Sequence, residues 1–125
     1  MLYKQGLTHN DSIAAKALVT SFMDAVRDGK YADAVAYLYT LNPKNPYLNP
    51  ELLDNESIKE TMDMMEKIKV DSYRIKSMEF VSAVNNPTKC EITAELSGNK
   101  VPVKLTWVLN PVNYMGRWLL CFAAK

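Results

Sequence analysis

Two cysteines, one histidine and seven tyrosines are the residues of this chain with the widest chemical range. His9 stands alone ahead of the first helix signal. A lone terminal histidine reads as a solvated residue, and no other is present to build a Ser-His-Asp or Cys-His arrangement for nucleophilic catalysis. Cys90 and Cys121 fall in the second and fourth of four segments that read as strands. With one strand between them, their Cα atoms are expected about 10 Å apart, beyond the roughly 7 Å reach of a disulfide. Both are expected as reduced, buried small hydrophobes. A zinc site needs three or four ligands at suitable spacing, so no metal and no cofactor is expected.

The aromatic residues point to binding. Tyr31, Tyr37, Tyr39, Tyr47, Tyr73 and Trp107 combine an apolar body with a polar tip, the residue type that lines a small-molecule site and that equally fills a core. Tyr37 and Tyr39 are two apart on a helix and cannot both face inward. Met62 and Met65 share helical spacing and read as core, whereas Met64 is off that stripe. Acid–base catalysis needs a positioned titratable group. Glu79, Glu91 and Glu95 have the wrong strand parity to face inward, which leaves Glu51 or Asp54 acting with a tyrosine as the one route to an isomerase or hydratase.

The elements that would position these residues follow from periodicity. Residues 1–11 read as a loose lead-in and 12–125 as a single domain. Asn10-Asp11-Ser12 offers N-cap side chains, and Ile13, Ala17, Leu18, Phe22, Ala25 and Val26 recur at helical spacing. Gly29 suits a helix C-terminus that needs a left-handed residue. A second helix is expected from Tyr31 to near Tyr39, then a proline- and asparagine-rich loop over 40–55, with one helical turn at Pro50-Glu51-Leu52-Leu53. A third helix is expected over Glu56–Lys67, with Ile58, Met62, Met65 and Ile68 on one face.

Beyond it the period changes from 3.6 to 2. Ser72–Ala83, Thr88–Ser97, Lys100–Asn110 and Gly116–Ala124 read as strands separated by turn signals at Asn85-Asn86-Pro87, Ser97-Gly98-Asn99 and Asn110 to Gly116. Short connections make an antiparallel meander, and helices followed by strands make an α+β layer fold. Tyr73 and Ile75 have opposite parity to Met78 and Phe80, so a β-bulge is expected near Ser77. The last strand, Trp118–Ala123, is apolar on both faces. It is expected either to be covered on its back or to form a dimer interface.

Composition removes several function classes. A chain of 125 residues with 48% hydrophobic and 23% charged residues is an ordinary globular domain. Net charge is +1 with Lys and Arg scattered among acids, so the basic stripe of a nucleic-acid binder is absent and no nucleic-acid partner is expected. No run approaches the roughly 20 apolar residues of a membrane span, so no transmembrane segment is expected. Met1–Gly6 lacks a signal-peptide layout, which leaves two compartments open: the cytoplasm, or export of a chain that begins after a removed signal.

The layout resembles the NTF2-like superfamily. The residues that carry this resemblance are Asp28-Gly29-Lys30-Tyr31 with Ala32, Ala34 and Ala36, the stretch Tyr73–Val81, the stretch Val101–Val108, and Gly116-Arg117-Trp118-Leu119-Leu120. It spans about residues 12–124 and is nearest to small bacterial members of uncharacterised function, notably exported and lipid-anchored ones. The resemblance implies three N-terminal helices on a curved four-stranded antiparallel sheet, forming a cone with a pocket at its open end. That fold hosts isomerases, dehydratases, transport factors and binding modules, so it does not set the function. Catalytic relatives place Asp, His or Tyr on strand faces that line the pocket. Here the faces carrying Cys90, Ile92, Ala94 and Leu96, and Val103, Leu105 and Trp107, bear no carboxylate and no histidine.

The expected function is therefore a non-catalytic binding module for a small apolar or amphipathic ligand. Its expected wall is Phe22, Val26, Tyr37, Met62, Met65, Tyr73, Ile92, Leu105 and Trp107. The alternative is a protein-interaction or homodimer module, using Val108, Leu119, Cys121 and Ala123 on the outer sheet face.

Overall fold

The computed structural model describes residues 9–41, 44, 50–81, 84–96 and 101–122. Helix α1 spans His9–Arg27. It starts earlier than its cap signal, so Asn10, Asp11 and Ser12 lie in its first turn rather than before it. Asp11 is engaged from the sheet: the Trp118 indole Nε1 donates to its Oδ1 at 3.2 Å, and the carboxylate sits at the positive end of the helix dipole. The buried stripe is Ala15, Val19, Phe22, Met23 and Val26. Ile13 is 54% exposed and Ala17 is exposed, because they lie two residues either side of Ala15 and so point to the opposite side of the helix.

Gly29 ends α1 as expected. With φ at 78° it takes the left-handed position, the Gly29 N–H reaches Val26 O at 3.2 Å, and the Lys30 N–H reaches Ala25 O at 2.8 Å. This paired 5→2 and 6→1 bonding is a Schellman close. Helix α2, Tyr31–Val35, is shorter than expected. Its exit tightens into i→i+3 bonds, Tyr37 N–H to Ala34 O at 3.1 Å and Leu38 N–H to Val35 O at 3.0 Å. The chain then extends: β1, Tyr39–Thr40, pairs antiparallel with β2, Glu51–Leu52, so Glu51 and Leu52 are strand rather than the helical turn expected there. Helix α3, Asn55–Lys67, is capped by Asp54, whose Oδ1 accepts the Ser57 N–H at 2.7 Å.

Four strands follow in the order of the chain: β3 Ile68–Met78, β4 Thr88–Leu96, β5 Val103–Tyr114 and β6 Arg117–Phe122, each antiparallel to the next. β3 starts at Ile68, directly after α3, rather than at Ser72. Its register against β4 slips twice, between Val70 and Ser72 and between Ile75 and Ser77. The second slip is the bulge expected near Ser77. The first, which makes Asp71 the extra residue, was not expected. Together they keep Ile68, Val70, Tyr73, Ile75 and Met78 opposite Leu96, Ala94, Ile92, Cys90 and Thr88, on the inner face.

β5 runs on past Asn110 to Tyr114, and the expected seven-residue turn shrinks to Met115-Gly116. Both have positive φ, 52° and 85°, as a two-residue hairpin turn with the strands' own twist requires. Pro111 is tolerated in β5 because β4 begins at Thr88, opposite Leu109, and leaves Pro111 without a strand neighbour on that side. Asn86 takes that place. Its Nδ2 donates to Pro111 O at 2.8 Å, its N–H donates to Asn110 Oδ1 at 2.7 Å, and its Oδ1 accepts the Val81 N–H at 3.0 Å. Asn110 Nδ2 donates in turn to Val84 O at 3.0 Å. Asn86 is 1% exposed.

The main core joins α1, α2 and α3 to the inner sheet face through Val19, Phe22, Met23, Val26, Val35, Leu38, Met65, Cys90, Ile92, Leu109 and Leu120. Met64, read as off the stripe, also packs against it. Among the described residues no helix is long and apolar enough to cross a membrane.

Two substitutions test this account. Asn86→Ala removes two side-chain hydrogen bonds and takes the Asn86 donor from the buried Pro111 carbonyl, while the Val81 N–H keeps Asn85 O at 3.2 Å; it should cost about 1–3 kcal/mol in urea unfolding. Met115→Asn, at an 86% exposed left-handed position, should instead raise the unfolding free energy by about 0.5–1 kcal/mol, seen as a higher urea midpoint. An unchanged midpoint in either variant would contradict the geometry behind it.

Candidate functional site

Eight of the nine expected wall residues converge. Phe22, Met65 and Ile92 are 0% exposed and Val26 is 1% exposed, while Met62, Tyr73, Leu105 and Trp107 are half-buried against the same cluster. They meet as packed core. Tyr37, 36% exposed, stands apart from them and faces a different concavity.

That concavity lies between the last turns of α1 and α2 and has a volume of about 560 Å³. The tight reversal at Gly29 sets the two helices side by side. Ser21, Asp24, Ala25 and Asp28 of α1 and its close form one wall, and Lys30, Asp33, Ala36 and Tyr37 form the other. Ser21, Asp24 and Asp28 recur at intervals of three and four, so they share one face of the helix. Asp33 and Tyr37 do the same across α2 and its exit. The small side chains Ala25 and Ala36 leave the space between them open.

Asp24 links this cleft to the sheet. Tyr73 on the inner face of β3 donates its hydroxyl to Asp24 Oδ1 at 2.6 Å, and Arg27 Nη1 lies 3.4 Å from the same oxygen. Arg27 Nε donates to Asp28 Oδ1 at 3.2 Å, and the guanidinium sits 5.9 Å from the centroid of the Tyr73 ring, a cation–π distance. Burial, then the hydrogen bond to Asp24, pushes the Tyr73 phenol up to about 12. The bond to Asp28 raises the Arg27 guanidinium further above its ordinary value. At neutral pH this is a phenol that donates and a carboxylate that accepts. The helical spacing of Ile13, Ala17, Leu18, Phe22, Ala25 and Val26 leaves Asp24 off the apolar stripe of α1. What betrays it is the docking of β3 across the helix, which helical spacing alone does not contain.

The other candidates are placed as follows. Cys90 faces the core and Cys121 the opposite side of the sheet. Both are free and buried, and burial pushes each thiol up to about 11. Leu119 and Cys121 are 7% and 3% exposed, packed with Val112 against Tyr39, Leu41 and Tyr114. The face expected to be open to a partner is thus covered, for these two residues, by the chain's own β1 segment. Val108 is half-buried on the same face. Tyr47, Ala123 and the side chain of His9 lie outside the described residues. Glu51 is exposed, and the Asp54 carboxylate serves as the α3 cap, which holds it below its usual range. On the outer sheet face Arg74 Nε pairs with Glu91 Oε1 at 3.1 Å and holds that carboxylate low. Among the described residues no cluster of three or more His, Cys, Asp or Glu could hold a metal ion.

The Tyr73 phenol rises from an ordinary 10 to about 12 on folding. Its contribution to stability is therefore full below pH 10 and lost as pH climbs towards 12. Tyr73→Phe should cost about 1 kcal/mol at pH 7, the modest figure reflecting a half-exposed Asp24. It should also flatten this part of the alkaline stability profile and remove the phenol that ionises near 12 in an ultraviolet titration. Both thiols should react with a disulfide reagent at pH 8 at least about 100-fold more slowly in the folded protein than in urea. Rapid labelling of either would contradict its burial.

No family model matches the chain, and no curated protein matches it. Among solved structures, a similar one is a Campylobacter jejuni protein named "Putative NTF2-like transpeptidase". The two are 12% identical over 86% of this chain and 97% of that one, with a TM-score of 0.45. The present chain itself has helices laid on one face of a bulged antiparallel sheet, the α+β layout that the NTF2-like resemblance implies.

Proposed function

We propose that the chain is a non-catalytic NTF2-like binding module that holds a small amphipathic ligand, and that the ligand lies in the α1–α2 cleft rather than within the curve of the sheet. The observation that carries this reading is a contrast in packing. Phe22, Met65 and Ile92 are sealed at 0% exposure, while a concavity of about 560 Å³ stands open beside Tyr37. That volume is in the range of small-molecule sites. Tyr37 offers an aromatic face, and Ser21, Lys30 and Asp33 offer donors and acceptors at its rim. The cleft asks for a ligand with one apolar side and polar ends.

A non-catalytic role is supported by the state of the groups that could react. Two thiols raised to about 11 and a phenol raised to about 12 are all protonated at neutral pH, and the phenol already donates to Asp24. The interaction-module alternative loses its strongest support with Leu119 and Cys121 packed under Tyr39 and Leu41.

The test is a small-molecule library screened by ¹H–¹⁵N NMR, followed by Ala36→Trp, which fills the cleft from its α2 wall. Binders should shift resonances of Ser21, Asp33 and Tyr37. The Trp variant should weaken them at least about tenfold, equivalent to about 1.4 kcal/mol, with its unfolding midpoint unchanged. Shifts centred instead on Ile92, Leu105 and Trp107 would return the site to the sheet's interior and remove the cleft from consideration.

A further inference from the structure

We draw no further inference here: the strongest candidate outside the cleft already described, the ring of Arg74, Lys76 and Lys104 around Glu91 on the outer face of the sheet, carries nothing because Glu91 already holds the place an anion would take and nothing in the structure shows what covers that face.

Discussion

The packing of one helix face against one sheet face governs most of what the chain does. Val19, Phe22, Met23 and Val26 of α1 have to leave water together, and each such side chain contributes about 1.5–3 kcal/mol when fully buried. The surface that receives them is built by Cys90, Ile92, Leu109 and Leu120. An unbroken β3 would present alternate residues to this surface and would turn some of its apolar positions outward. The slips at Asp71 and Lys76 correct the parity, and each leaves the supernumerary residue a charged one, which can stay in water. Bulges also bend a strand and increase its twist. The same two residues that keep the pattern in phase therefore let the sheet follow the helix.

Away from the helix, the sheet is finished by polar and apolar devices of different kinds. At the start of β4, Asn86 and Asn110 replace strand pairing with side-chain hydrogen bonds. A buried amide is costly unless satisfied, and this pair satisfies one another and the neighbouring backbone. At the other edge, β6 is apolar on both faces because it is covered twice. Leu120 points to the main core, while Leu119 and Cys121 are capped by Tyr39 and Leu41. The bridge between Leu38 and Leu120 draws that covering segment along the edge strand, where it also reduces the exposed pairing edge.

This explains which parts of the fold could be read from residue types alone. Alternation in Cys90–Leu96 gave β4 its faces, Gly29 marked the turn, and the parity change between Ile75 and Met78 marked one bulge. Each signal is local. The bulge at Asp71 hid because Val70 lay outside the expected strand, so no parity change was visible across it. The continuation of β5 through Pro111 was hidden by a rule that is sound only for a strand paired on both sides. The apolar back of β6 was read correctly as needing a cover, but its source was a strand of two residues, Tyr39–Thr40, too short to carry a pattern. For the site, Phe22, Tyr73 and Trp107 share one cluster, whereas Tyr39 packs on the other side of the sheet and Tyr37 lines the α1–α2 cleft. Packing density, which decides between a wall and a core, is a property of the assembled chain.

Asp24 shows how a tertiary contact sets the chemistry of an open surface. One of its oxygens receives both the Tyr73 hydroxyl and the Arg27 guanidinium, so the carboxylate is held from the sheet side while the residue lines the cleft. A general base works best with a pKa near the operating pH and a free approach to the proton it removes. Here the partner phenol is far above that range, and the oxygen it holds already carries two donors. Such an arrangement fixes a carboxylate in place. Fixed orientation lowers the entropic cost of forming a hydrogen bond to a ligand, which is what the proposed binding role asks of Asp24.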